Sequence, residues 1–184
     1  LLEAAGIGEA MAAAAGGEAV NLTESPGPCR AMHTALRGSD RSPAAVSAVV
    51  QESQERMERI ATAVRGGTLT GSEITDVVTL GTGGSWLGPA VCVDALEGSG
   101  PRVHFLPSLD GHAVDDLLEV LDPAATAVIV SSKSFSTQET IANASLFRSW
   151  LTEGLGDAGM GHMIACTADP DAARRFGIPD DHIL

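Results

Sequence analysis

At 184 residues, the sequence is long enough for one well-packed domain with an appended segment. Hydrophobic residues make up 44% and charged residues 19%, and no apolar run reaches the length of about 18 residues that a membrane helix requires. The 24 acidic residues outnumber the 11 Lys and Arg residues, and the net charge of -13 argues against nucleic acid as a partner. An anionic ligand must therefore be held by backbone N–H groups, hydroxyls and helix dipoles rather than by a basic patch.

The start of the sequence and its cysteines indicate where the protein works. The sequence opens at Leu1 without a secretory signal pattern, and we expect the native amino terminus to lie upstream. Cys29, Cys92 and Cys166 lie far apart, with no C-x-x-C pair and no histidine at metal-ligand spacing. We therefore expect no disulfide framework and no metal site, with Cys92 and Cys166 as small core residues of a cytoplasmic protein.

Residues 1–72 are predicted to form a helical N-terminal segment. Ser42-Pro43 combines a capping residue with a proline suited to the first helical position. Beyond it, apolar residues recur at helical spacing, namely Val46, Val49, Val50, Met57, Ile60 and Val64. This pattern predicts a long helix that ends near Gly66-Gly67.

Residues 73–184 alternate between short apolar runs and helix-like stretches. The runs typical of buried strands are Asp76–Leu80, Arg102–Leu106, Thr126–Val130 and His162–Cys166. Helices are predicted between them over Pro89–Leu96, Val114–Leu121 and Thr137–Leu151. Such alternation is typical of βαβ units, so the predicted fold class is α/β, a doubly wound parallel sheet preceded by the helical segment. His182–Leu184 are predicted to open a fifth strand.

The first predicted strand runs into a glycine-rich loop, Gly81–Pro89. Its glycines permit positive φ angles and let backbone N–H groups approach an anion, and Ser85 adds a hydroxyl at the next helix. Standard nucleotide and nucleophile motifs do not fit this loop. Trp86 replaces the third glycine of the dinucleotide-binding pattern, Leu87 replaces the last glycine of a nucleophile elbow, and Pro89 stands where a P-loop has lysine.

The third predicted strand runs into a loop rich in hydroxyls, Ser131–Thr140, which also holds Lys133. Ser136 and Glu139 have the spacing of a capping box, which predicts that a helix begins there. In a parallel sheet the carboxyl ends of the first and third strands lie on one edge, where ligands of doubly wound folds bind. The two loops therefore either converge on one anion, such as a phosphate, or are two ordinary strand-to-helix turns.

Several of these segments together resemble the glucose-6-phosphate isomerases. The family patterns G-x-G-G-S-x-L-G-P and S-K-[ST]-F-x-T-Q-E-T are similar to Gly81–Pro89 and Ser132–Thr140. Two earlier stretches, Asn21–Glu24 and Arg30–Arg37, resemble the family's N-x-T-E and R-x-x-L-H-x-A-L-R segments. The resemblance covers most of the chain from Asn21 onward.

The resemblance implies that residues 73–184 form a sugar isomerase (SIS) domain, cut short at its carboxyl end, that binds a sugar phosphate without a cofactor or metal ion. It assigns the phosphate to the hydroxyls of Ser85, Ser132, Ser134 and Thr137 and to backbone groups of Gly84 and Lys133. Glu139 is expected to contact the residues that bind the substrate rather than the substrate itself. The whole protein is expected to be a homodimer, as in the family.

The same resemblance implies the isomerisation of glucose 6-phosphate to fructose 6-phosphate through ring opening and an enediolate. The family's catalytic glutamate, histidine, arginine and lysine lie in segments beyond the position of Leu184, so no catalytic residue is expected within the sequence. Glu139 and His33 are the alternatives within it, and we interpret them as a supporting or capping residue and a packing residue. Two other functions stay open: a non-catalytic SIS module that binds a sugar phosphate, and an SIS enzyme for an amino sugar.

Overall fold

The structure is a computed structural model, and it describes residues 5–22, 30–38, 42–96, 98 and 100–184. The chain divides into two compact units, Leu1–Arg56 and Met57–Leu184. Cys29 and the pair Thr23-Glu24 lie outside the described residues. Both glycine- and hydroxyl-rich loops belong to the second unit.

The first unit is mainly helical in its described residues. It contains α1 (Ile7–Ala15), a 3₁₀ helix (His33–Arg37) and the first part of α2 (Ala44–Arg65). The long helix predicted after Ser42-Pro43 is confirmed, and it ends just before Gly66-Gly67 as predicted. The interpretation of His33 as a packing residue is wrong, because the 3₁₀ helix buries Ala35 and leaves His33 exposed.

The second unit is built on a sheet of four parallel strands. They are β1 (Asp76–Leu80), β2 (Arg102–Leu106), β3 (Thr126–Ser131) and β4 (Met163–Cys166). Their spatial order is β2-β1-β3-β4, so the chain moves to one side of β1 for β2 and to the other side for β3 and β4. This order and the parallel pairing confirm the predicted α/β sheet. The predicted fifth strand is reduced to a parallel bridge between Ala165 and Ile183.

A helix follows each strand of this sheet. These helices are α3 (Gly84–Ala95), α4 (Gly111–Val120), α5 (Gln138–Leu155) and α6 (Pro170–Phe176). Because successive strand residues point to opposite faces, Val78 joins Phe147 of α5 in the main core, while Val77 packs near Val64 of α2 in a smaller cluster. Apolar contacts on both faces explain why the strands read as almost continuous apolar runs.

Two predictions about the second unit are wrong. α3 begins at Gly84 rather than at Pro89, because Gly83 turns the chain into the helix earlier and Pro89 is tolerated inside it. Cys92 and Cys166 are exposed rather than buried, since α3 has no fully buried residue and Cys166 ends β4.

In the part of the chain that the structure describes, no helix combines the length and apolar character needed to cross a bilayer.

Asp76 is a buried carboxylate at the start of β1, and neighbouring side chains satisfy it. Thr75 Oγ1 and Arg102 Nη2 donate to Oδ2 at 2.8 and 3.1 Å. Arg102 Nε and His104 Nε2 lie 3.0 and 2.8 Å from Oδ1. Burial by itself raises the pKa of this carboxyl, but hydrogen bonds from His104, Thr75 and Arg102, with the Arg102 charge, outweigh burial and lower the pKa below its ordinary value. The cluster depends on the register that pairs Asp76 with Arg102.

We predict that Asp76→Asn lowers the free energy of unfolding by about 1–3 kcal/mol at neutral pH, because Arg102 and His104 lose a charged acceptor. A carboxyl whose pKa is lowered by folding stabilises the fold above its unfolded pKa of about 3.9 and loses that contribution as the pH falls through the folded pKa. The difference between wild type and variant should therefore shrink between about pH 5 and pH 3 in urea unfolding.

The control for this experiment is Asp115→Asn, which changes an exposed carboxylate of α4. This change should alter the free energy of unfolding by less than about 0.5 kcal/mol. A difference between wild type and Asp76→Asn that is equal at both ends of the pH range would contradict the ionic role of Asp76.

Candidate phosphate-binding site

A glycine turn leads from β1 into α3. Gly83 has φ 54° and ψ −124°, a backbone conformation that residues with a Cβ rarely adopt. The Ser85 N–H donates to Thr82 O at 3.1 Å, which closes the turn. Two of the predicted phosphate residues, Gly84 and Ser85, therefore lie in the first turn of α3.

A second turn, residues 132–137, leads from β3 into α5, and we call it the phosphate loop. The Phe135 N–H donates to Ser132 O at 3.1 Å, which reverses the chain direction. Phe135 has φ 47° and is the one non-glycine residue with a positive φ in the described part of the chain. Its side chain is nevertheless buried, so the turn is anchored in the core of the second unit.

The start of α5 differs from the sequence prediction. A capping box would make Ser136 the N-cap, but Thr137 is the N-cap residue and no side chain caps the helix. Ser136 Oγ instead pairs with Ser134 Oγ at 2.7 Å, and Glu139 lies exposed in the first turn. Without a capping side chain, the first N–H groups of α5 can face an anion.

The glycine turn touches the end of β3, just before the phosphate loop. A Cβ on Gly81 would lie 3.0 Å from Ser131 O, 3.1 Å from Ser85 Cβ and 3.3 Å from Ser131 Cβ. Leu80 pairs with Val130 in the register of the sheet, so the residues that follow them are neighbours. The start of the glycine turn therefore packs against the end of β3, and this contact leaves no room for a side chain at Gly81.

The structure brings some of the predicted hydroxyls together and holds others apart. Ser132 Oγ and Thr137 Oγ1 lie 3.1 Å apart, with Ser132 buried and Thr137 partly exposed. Ser85 lies in the neighbouring turn, and its Cβ would be 3.1 Å from a Cβ added to Gly81. Ser134 is exposed and is paired with a different hydroxyl. The pair formed by Ser132 and Thr137 is therefore the centre of the candidate site.

Lys133 is the only lysine in the sequence, and it lies exposed in the phosphate loop. Its carbonyl oxygen accepts hydrogen bonds from the Ala168 N–H at 2.9 Å and from Thr167 Oγ1 at 3.1 Å. Sequence reasoning did not identify Thr167 as a neighbour of the loop. Its position in the sequence could have indicated this, because Thr167 directly follows a buried strand and precedes Asp169-Pro170, a pair typical of a helix start. A residue placed in this way lies at the edge of the sheet where the other strand-to-helix loops lie.

Three of the described histidines contact groups outside the two turns. Cys166 precedes Thr167 at the end of β4; the residue is exposed overall, but desolvation by the surrounding protein raises the pKa of its thiol, which stays protonated at neutral pH. His104 contacts Asp76, while His162 and His182 contact backbone carbonyls through Nδ1. No group of His, Cys, Asp and Glu residues in the described ranges could hold a metal ion. The two turns offer hydroxyls, amides and an ammonium group, which suit an oxyanion.

Comparisons with known proteins give similarity to one family over the whole chain. The family model described as phosphoglucose isomerase matches residues 1–184. The chain is 42% identical over 178 residues to a glucose-6-phosphate isomerase of Aromatoleum aromaticum, covering 91% of this chain and 32% of that protein. It is 46% identical over 162 residues to one of Ruegeria pomeroyi, covering 83% and 30%.

A solved structure is similar over almost the same part of the chain. It is a glucose-6-phosphate isomerase from Chlamydia trachomatis, with a TM-score of 0.73 and 26% identity, covering 90% of this chain and 33% of that one. The chain thus spans about a third of the length of the relatives that it matches.

We predict that Gly81→Ala lowers the free energy of unfolding by about 1–3 kcal/mol, because the new methyl group must displace the backbone of Ser131 or the side chain of Ser85. Gly84→Ala is the control, since a Cβ there meets no atom within 4 Å. Its effect on stability should stay within about 0.5 kcal/mol. Urea unfolding of both variants measures the difference, and equal stabilities for Gly81→Ala and wild type would show that Gly81 does not pack against the end of β3.

Proposed function

The chain belongs to the phosphoglucose isomerase family, and from this premise we propose that the whole protein interconverts glucose 6-phosphate and fructose 6-phosphate. In this proposal the 184 residues supply the site for the phosphate of the substrate. The phosphate contacts are the hydroxyls and backbone groups assigned from the resemblance, namely Gly84, Ser85, Ser132, Lys133, Ser134 and Thr137.

The observation that carries the proposal is the hydroxyl pair of Ser132 and Thr137 at the start of α5, 3.1 Å apart. When two hydroxyls bond to each other, one proton is used within the pair and the other is left to donate. A phosphate oxygen between them can accept both protons, and a charged acceptor strengthens each bond. The N-terminus of the 18-residue helix adds a favourable dipole.

The chemistry of the proposed reaction also requires groups beyond phosphate binding. Ring opening needs an acid, transfer of a proton between C2 and C1 needs a base, and the enediolate needs a nearby positive charge. We assign these roles to parts of the whole protein outside the 184 residues. The phosphate loop fixes one end of the substrate so that the reacting carbons lie at a constant distance from those groups. Glu139, which is exposed in the first turn of α5, is assigned a supporting role next to the residues that contact the substrate.

A non-catalytic sugar-phosphate-binding module is the second candidate. The observation in its favour is that the hydroxyl pair, Lys133 and the neighbouring glycine turn are all present in the described chain. A module of this kind would bind the same ligand without turnover. Measurements of turnover and of binding separate the two candidates.

The whole protein is further proposed to be a cytoplasmic homodimer. This proposal is supported by the family resemblance and by the cysteines, of which Cys92 and Cys166 are free thiols in the described chain. The residues assigned to the phosphate all belong to the second unit of one chain, so in this proposal phosphate binding does not require the partner subunit.

We predict that glucose 6-phosphate stabilises the chain by about 2.7 kcal/mol at a hundred times its Kd, whereas glucose does not. Thr137→Ala removes one hydroxyl donor to a charged acceptor, so affinity should fall about ten- to a hundredfold. Thermal unfolding with and without ligand measures both effects. Thr152→Ala is the matched control: it removes the same hydroxyl from the far end of α5, where Thr152 bonds to Arg148 O.

Two outcomes would contradict the assignment of the phosphate site. One is equal stabilisation by glucose and glucose 6-phosphate, since a phosphate site cannot respond to a sugar that lacks the phosphate. The other is an unchanged affinity in Thr137→Ala. Sulfate serves as a second anion, and stabilisation by sulfate as strong as that by glucose 6-phosphate would indicate that the sugar makes no contact.

We also predict that the 184-residue chain alone has no measurable isomerase activity, because the acid, base and charge-stabilising groups each contribute orders of magnitude to the rate. A coupled assay with fructose 6-phosphate measures the turnover of the chain. Turnover on the order of 10 s⁻¹, typical of an ordinary enzyme, would show that the catalytic base lies within these residues.

A further inference from the structure

Phe135 has an unusual backbone conformation in the middle of the phosphate loop. Its φ of 47° places it in the left-handed region, which is unfavourable for a residue with a Cβ. Such a conformation persists only where the surrounding structure imposes it, and it is frequent in loops that bind ligands. The contacts of Phe135 therefore identify what holds the phosphate loop in shape.

The ring of Phe135 is held by the end of α6. Its centroid lies 5.7 Å from that of Phe176, and the two rings meet edge to face at 72°. The guanidinium carbon of Arg148 lies 4.6 Å from the centroid of Phe176, and Arg148 Nη1 donates to Phe176 O at 3.3 Å. Phe176 is thus held by Arg148 of α5, the helix that follows the phosphate loop. Phe176 in turn packs against the ring of Phe135.

The beginning of the same segment holds the phosphate loop at a second point. Thr167 Oγ1 donates to Lys133 O at 3.1 Å, and the Ala168 N–H donates to the same oxygen at 2.9 Å. Thr167 Oγ1 also accepts from the Asp169 N–H at 3.1 Å, which fixes the direction of its hydroxyl. The carbonyl of Lys133 is therefore turned toward β4.

We propose that Thr167 and Phe176, at the two ends of the segment after β4, are positioning residues that hold the phosphate loop in its anion-binding shape before the ligand arrives. The inference rests on the proposed function, because it takes residues 132–137 as the phosphate site. Neither residue belongs to the set assigned to the phosphate, and each acts through the loop. If either contact is lost, the loop samples other shapes, and the apparent affinity falls in proportion to the fraction that remains competent.

The first test replaces Phe176 with leucine in the 184-residue chain. Phe176→Leu keeps an apolar side chain but removes the ring contact that holds Phe135. Calorimetric titration with glucose 6-phosphate and with inorganic phosphate, at a temperature where the variant is fully folded, should show affinities about tenfold weaker for both ligands. A variant altered only in stability would keep the wild-type affinity under these conditions, so unchanged affinity would overturn the role of Phe176.

Trp150→Leu is the matched control for this change. Trp150 meets Phe147 edge to face, with centroids 5.9 Å apart and planes at 78°, and both residues lie within α5. The control therefore loses an edge-to-face aromatic pair in the same unit. That pair, unlike the pair of Phe135 and Phe176, does not include a residue of the phosphate loop. Its affinity for both ligands should equal that of wild type, and a loss equal to that of Phe176→Leu would overturn the inference.

The second test replaces Thr167, which is only partly buried. Thr167→Val keeps the shape of the side chain and removes the hydrogen bond to Lys133 O, so phosphate affinity should fall about three- to tenfold. Thr167→Ser retains the hydroxyl and should restore the wild-type affinity. This pair decides the inference if Phe176→Leu does not fold. Absence of phosphate binding by wild type would overturn the proposed function, whereas wild-type binding with unchanged affinity in Thr167→Val and Phe176→Leu would overturn this inference alone.

Discussion

The in-register parallel pairing of β1 with β3 is the constraint on which the candidate site depends. Because Leu80 pairs with Val130, Gly81 follows β1 at the level of Ser131, the last residue of β3, and the two residues lie close together. The chain leaves β1 toward β2 on one side and reaches β3 on the other, which makes this edge the point where ligands of doubly wound sheets bind. A shift in register would separate Gly81 from Ser131 and so remove the contact between the glycine turn and the end of β3.

The strands were predicted well because buried parallel strands have a strong local signal. Asp76–Leu80 coincides with the predicted run because β1 is buried over its whole length in the middle of the sheet. Arg102–Leu106 coincides as well, although β2 is an edge strand and only partly buried. Helix starts were predicted less well, because proline and serine favour a start without requiring one. Gly83 starts α3 well before Pro89, and the hydroxyl expected to cap α5 bonds to another side chain.

The candidate site was predicted as a set of residues but not as a geometry. That Ser132 and Thr137 would pair follows from the loop's turn, and the turn depends on Phe135, whose left-handed backbone no local rule predicts for phenylalanine. The partners of the loop, Phe176 and Thr167, come from a later part of the chain. Such contacts are set by how α6 packs after β4, which residue spacing in one sequence does not reveal. The assignment of the phosphate to these hydroxyls stays a prediction.

For the proposed phosphate site, the acidity of the chain makes loop shape more important than charge. With a net charge of -13, the chain as a whole does not attract a phosphate dianion, and the Debye length of about 8 Å at physiological salt confines the attraction by Lys133, like the repulsion by the acidic residues, to close range. Affinity must therefore come from short hydrogen bonds made by hydroxyls and helix N–H groups, whose strength falls steeply with distance and angle. A loop that moved by a fraction of a bond length would lose several of these bonds at once. Rigid support from outside the loop is the physical means by which an acidic protein can hold an anion without a basic patch.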